Sequence, residues 1–154
     1  MKTRHRNIRL ENYDYRNGWF FVTNQTYCNE PILKGKIRKL VLEQLDLLNE
    51  IDGVWVDTRV VMPTHLHAIL IFDGVAKPLN RVWGEFKGRS SYLVKKQSLL
   101  AHSLWQRNFY EHIIRNERAL MAVRRYILKN AFELVIPWND IYREVGFHGV
   151  CGER

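Results

Sequence analysis

Two hydrophobic periods alternate along this chain, and their order constrains the fold more than any other feature. Residues 19–27 (WFFVTNQTY) are rich in aromatic and β-branched side chains and read as a strand. The stretch 31–35, opened by Pro31 and closed by Gly35, breaks it. Apolar residues then recur at Ile37, Leu40, Val41, Leu45 and Leu48, which is helical spacing. After Gly53, residues 54–61 (VWVDTRVV) alternate and read as a second strand. Met62-Pro63-Thr64 is a short break, because proline has no N–H to give to a ladder. Residues 65–72 (HLHAILIF) make a third strand, and Asp73-Gly74 a turn. Residues 78–96 carry Leu79, Val82, Trp83, Phe86 and Leu93 at loosely helical spacing, with Gly84 and Gly88 as weak points. Residues 109–114 predict a fourth strand. Asn116 suits an N-cap and Glu117 the first turn of a helix over 117–130. The order β-α-β-β-α-β-α predicts an α+β, ferredoxin-like (βαββαβ) antiparallel sheet with helices on one face, plus an added C-terminal helix.

With 154 residues the chain suits one domain, residues 1–154, in which the tail 146–154 is the weakest candidate for order. No apolar run approaches the length of a membrane span, and the N-terminal MKTRHRNIRL lacks the apolar core of a secretory signal. Cys28 and Cys151 match no metal-binding spacing, so a reducing cytoplasm is the simplest expectation. The net charge of +8 is concentrated. Between Arg81 and Lys129 stand eleven basic residues and three acidic ones, and the rest of the chain balances. Such a surplus points to a polyanion, most often a nucleic acid, with a lysine-rich solvated surface as the plainer reading.

The third strand carries His65 and His67. Residues i and i+2 of a strand share a face, about 6.6 Å apart, so His65, His67, Ile69 and Ile71 lie on one side. Leu66, Ala68, Leu70 and Phe72 lie on the other. Two imidazoles so placed can converge on one divalent metal, or can be half-buried structural residues. Position 69 holds no third histidine, and HExxH, CxxC and GxxxxGK[ST] are all absent. In the last helix Tyr126 and Asn130 are four apart and therefore neighbours on one face. Viewed alone, such a pair reads as a packed ring and a helix-terminal amide. A phenol is a poor nucleophile unless metal or cations stabilise its phenolate.

In combination these segments resemble a known family. MPTHLHAILIF resembles the His–hydrophobic–His (HUH) motif, in the Met-Pro-x-His-x-His form of the REP-associated tyrosine transposases. RNIRLENYDYRNGWFFVTNQTY is similar to the family's N-terminal start, and WGEFKGRSS to its Gly-x-Phe-Lys-Ser segment. WQRNFYEHIIRNERAL and VRRYILKNAFEL resemble its Trp-Gln-Arg and Tyr-Ile-x-x-Asn-Pro segments. The match runs over residues 4–135. Ala131 stands in place of the usual proline, Gly88 in place of a serine, and Thr64 where asparagine is common.

The resemblance implies that His65, His67 and the amide of Asn130 hold Mg²⁺ or Mn²⁺. It implies Tyr126 as the nucleophile that cleaves and rejoins single-stranded DNA at a REP-type hairpin, through a 5′-phosphotyrosine link. Arg4, Arg6, Lys87, Arg89, Arg107, Arg124 and Arg125 are the candidate phosphate contacts. His112 is read as structural or DNA-facing. A monomer is favoured, with a homodimer left open. Two alternatives stand beside this expectation: a hairpin-binding protein without cleavage, and a metal-dependent nuclease that uses water.

Overall fold

A computed structural model describes residue 10 and residues 12–131. Arg4, Arg6 and the tail 146–154 lie outside the described residues. The elements are β1 (Gly18–Gln25), α1 (Gly35–Asp46), β2 (Val54–Val61), β3 (His65–Phe72), α2 (Leu79–Lys96), β4 (Tyr110–Ile114) and α3 (Glu117–Ala131). The order is the one the periodicity predicts. The sheet runs β2-β3-β1-β4, and every pairing is antiparallel. This is the ferredoxin-like α+β arrangement.

The alternation of β3 sets the layers. Leu66, Ala68, Leu70 and Phe72 pack with Phe20 and Val22 of β1, and with Leu40, Val41, Val82, Trp83 and Phe86 of α1 and α2. Ile69 points the other way. It joins Phe21, Val60 and Ile114 under Ala119, Leu120, Val123 and Ile127 of α3. The added helix therefore covers the sheet face that α1 and α2 leave open. That makes β3, the strand of the histidine pair, buried on both sides along most of its length.

Local chemistry fixes the element ends. Asn116 caps α3 as expected: its Oδ1 accepts the Ala119 amide at 2.8 Å. The first strand stops at Gln25, short of the expected Tyr27. Tyr27–Asn29 turns instead as a 3₁₀ segment with positive φ at Cys28 and Asn29. The chain leaves the sheet because Thr26 bridges to Trp105 and its amide bonds Thr64 O. Gly53 has φ +80, and a Cβ there would collide with the backbone carbonyl of Asp73, so this turn needs glycine.

One departure from simple alternation matters for the site. The pairing of β2 with β3 shifts register between Val56 and Thr58, leaving Asp57 as an extra residue. Bulges re-aim side chains. Here the Asp57 carboxylate reaches α3 and accepts a bidentate pair from Arg124, with Nε at 2.8 Å.

Candidate active site

The site assembles on the sheet face beneath α3. In the antiparallel register Thr23 of β1 lies opposite His67 of β3, and Gln25 opposite His65. Phe21 lies opposite both Ile69 and His112, so His112 belongs to this same face. Four rings then form a connected group. The His65 and His67 centroids are 4.7 Å apart. His67 meets the Tyr126 ring edge-on at 5.2 Å. Phe21 stacks on His67 at 5.3 Å and meets Tyr126 edge-on at 6.1 Å. Offset and edge-on aromatic contacts of this kind hold ring positions as well as bury area. His65 and Tyr126 are half-buried, whereas His67 is 5% exposed.

Each histidine meets a threonine. Thr23 Oγ1 is 2.7 Å from His67 Nδ1, and Thr64 Oγ1 is 3.0 Å from His65 Nδ1. The other nitrogen of His67, Nε2, is buried and has no hydrogen-bond partner among the described residues. Burial, reinforced by the neighbouring His65, pushes the His67 imidazole down to about 3. His67 is therefore a neutral ring with a lone pair to give, which is the state a metal ligand requires. Burial also pushes His112 down to about 4.

Asn130 lies one turn after Tyr126 on α3 and is buried. Its Nδ2 donates to the Tyr126 carbonyl at 2.9 Å, which leaves the amide oxygen as the atom with lone pairs to give. Two imidazoles and an amide oxygen fit a divalent cation of the Mn²⁺ or Mg²⁺ kind. Among the described residues no group of three or more His, Cys, Asp or Glu side chains stands ready to hold a metal ion. A set of two histidines and one asparagine is not such a group.

The basic residues divide by partner. Arg124 is held by Asp57 and so ties α3 to β2. Lys87 turns inward: its Nζ donates to the carbonyls of Gln106 at 2.7 Å and Arg107 at 3.0 Å, and burial lowers it to about 8. Both are candidates for phosphate contact, and both have partners within the protein. Arg89, Arg107 and Arg125 are exposed. A cleft of about 540 Å³ runs between α2 and the segment before β4, with Lys87, Tyr92, Lys95 and Arg107 in its walls and no acidic residue among the described residues that line it. Gln106 N bonds Gln25 O, which places this cleft at the end of the sheet where His65 sits.

The Arg124–Asp57 pair gives a stability prediction. Arg124 holds the Asp57 carboxyl below its ordinary value of 3.8, against the opposing effect of burial. The folded state thus takes up the proton later than the unfolded state. The stabilisation is complete above the ordinary carboxylate range and is lost as pH falls through the lowered folded value. Arg124→Met should cost about 1–2 kcal/mol, discounted for the partly exposed guanidinium. Thermal melts of both proteins at neutral pH and in acid check this: the gap should close in acid. A gap that is unchanged in acid contradicts it.

No motif singles out Phe21, Thr23 or Asp57 as members of the site. Their roles come from strand register and from a bulge, which no local pattern in β1 or β2 announces.

No protein-family model matches the chain. A protein of Haemophilus influenzae with no described function is 27% identical over 157 residues, covering 81% of this chain and 87% of its own. Among solved structures, a REP-associated tyrosine transposase bound to a REP hairpin aligns with a TM-score of 0.63 at 20% identity. The alignment covers 95% of this chain and 97% of that one. A protein of Deinococcus radiodurans R1, provisionally described as a transposase, aligns with a TM-score of 0.54 at 16% identity, covering 80% of this chain and 96% of its own. The fold is shared with both.

Proposed function

We propose that this protein is a transposase-like enzyme that cleaves and rejoins single-stranded DNA beside a hairpin, with Tyr126 as nucleophile. The observation that carries the reading is the ring contact of Tyr126 with His67, whose buried Nε2 has no protein partner. Tyr126 thus lies against a neutral imidazole whose outer nitrogen has no hydrogen-bond partner among the described residues. The likeness to a transposase solved with a REP hairpin supports a hairpin DNA substrate.

His65, His67 and Asn130 would hold the cation, which when bound supplies positive charge to the scissile phosphate and to the departing oxygen. The chain's own residues do the rest. Phe21 and His67 hold the Tyr126 ring at the edge of the site. The Tyr126 Oη–P bond forms as the bond from phosphorus to the 3′ oxygen breaks. The phenol gives up its proton, and the 3′ oxygen leaves as a hydroxyl after taking one up. The product is a 5′-phosphotyrosine link, and reversal by another 3′-hydroxyl rejoins DNA without an external energy source.

Exposed Arg89, Arg107 and Arg125 orient the strand through its phosphates. Replacing Arg89 and Arg107 together by Gln should weaken hairpin binding and flatten its salt dependence by about 0.7 log unit for each lost contact. Binding titrations at several salt concentrations check this, and an unchanged slope would remove both residues from the interface. The reading as a whole is tested by incubating labelled hairpin DNA with protein and Mn²⁺ and separating the products on a denaturing gel. A covalent adduct supports it. Cleaved DNA without an adduct identifies a nuclease that uses water, and intact DNA that is nonetheless bound identifies a binding protein.

A further inference from the structure

The two histidines are approached in the same way, each at Nδ1 and each by a threonine hydroxyl. The two threonines come from different places. Thr23 reaches across from β1 as the register partner of His67. Thr64 precedes His65 in the turn before β3, and that turn is pinned. The Thr64 carbonyl accepts from the Thr26 amide at 2.9 Å and lies 3.1 Å from the Thr26 hydroxyl. Pro63 O accepts from the Leu33 amide at 3.0 Å, and the Met62 amide donates to His65 O at 2.8 Å. Two unrelated stretches of backbone are thus fixed so that each presents a hydroxyl to the same atom of its imidazole.

A hydroxyl can donate or accept, but a neutral imidazole carries a single N–H. If Thr23 donated to His67 Nδ1, the proton would sit on Nε2. There it would be a buried donor with no partner, the costly arrangement that folded proteins avoid. If Thr23 accepts from Nδ1–H, the Nε2 lone pair is left to point into the site. Only the second arrangement lets both nitrogens of His67 be satisfied, the outer one by a cation. A hydrogen bond to the far nitrogen is the general means by which proteins fix the tautomer and aim of a ligating histidine.

We propose that Thr23 is a positioning residue that accepts Nδ1–H from His67 and so fixes the ring to offer Nε2 to a divalent cation, and that Thr64, which meets Nδ1 of His65, plays the same part for that ring. This rests on the metal reading of the pair given above. The threonines touch neither DNA nor cation and act only through the imidazoles.

The test uses the full chain without DNA. Nitrogen-15 NMR of labelled histidine reads the tautomers, and Mn²⁺ titration followed by electron paramagnetic resonance reads affinity. In the wild type His67 should be the Nδ1–H tautomer. Thr23→Val, which keeps the shape and loses the hydroxyl, should lower Mn²⁺ affinity roughly 10–100-fold, while Thr23→Ser should stay within about threefold of wild type. Rescue by serine separates a positioning hydroxyl from a packing effect, and Thr64→Val is a second variant with the same expectation. A wild-type His67 in the Nε2–H form, or a Thr23→Val protein that binds Mn²⁺ as wild type does, overturns the proposal. Wild-type protein that takes up no Mn²⁺ overturns it together with the metal reading. The covalent chemistry of Tyr126 is read separately on the gel, so the failures can be told apart.

Discussion

Tyr126→Phe is expected to bind hairpin DNA as the wild type does and to form no covalent adduct. The substitution removes one oxygen and keeps the ring, so the edge-on contacts with His67 and Phe21 persist. Tyr126 is half-buried at the border of a small apolar cluster built from Phe21, Val60, Ile69, Val123 and Ile127, and phenylalanine suits that surrounding. The fold should therefore be unaffected. What is lost is the attacking oxygen, and loss of a covalent nucleophile lowers rate by at least about 10³-fold. Adduct formation and strand rejoining should disappear together, because the second step uses the link made in the first. Strand cleavage that survives in Tyr126→Phe would assign the attack to water or to another residue.

The second large effect is expected at His67. It is the more buried member of the pair, and its Nε2 has no hydrogen-bond partner among the described residues. His67→Ala should abolish cleavage and Mn²⁺ binding while hairpin affinity stays within about threefold, since phosphate contacts supply most of that affinity. Alanine would also leave a hole beneath Phe21 and Tyr126. His67→Phe is the sharper variant: it keeps a ring stacked on Phe21 and removes both nitrogens. Equal loss of binding and cleavage in His67→Phe would make the residue structural. A pH dependence follows from the same burial. His67 is lowered from 6.5 to about 3, so it keeps its lone pair through neutral and mildly acidic solution. As pH falls below the ordinary value, the unfolded chain takes up a proton that the folded chain refuses, and stability declines. Any acid loss of cleavage near neutral pH must then come from a group other than His67. In His67→Phe the decline of stability between pH 6.5 and 3 should be shallower than in the wild type.

Much of this was legible in the chain. The bounds of β2 and β3, the asparagine cap of α3 and the element order follow from alternation, proline and capping chemistry, all of which are local. The placement of His65 and His67 on one face follows from the period of a strand. The company they keep does not. Phe21 and Thr23 become neighbours of His67 only through the β1–β3 register, a pairing of residues more than forty positions apart. That α3 covers the sheet face opposite α1 and α2 depends on which apolar surface is left uncovered, which the helix's own sequence does not state. Arg124 and Lys87 show the limit of counting charges. Both belong to the basic stretch, yet one is held by the carboxylate that a bulge turns towards it. The other is drawn inward by backbone carbonyls. The charge total points to a polyanion, and only the fold separates the basic side chains that face solvent from those that brace the structure.

In the proposed reaction the oxygen of Tyr126 becomes bonded to DNA phosphorus. This is tested most directly by trapping the protein with hairpin DNA and Mn²⁺, digesting both, and mapping the modified residue by mass spectrometry. A nucleotide 5′-phosphate is expected on the peptide that contains Tyr126. A modification on another residue, such as Tyr110 on the same face of the sheet, or cleaved DNA with no modified peptide, would contradict it.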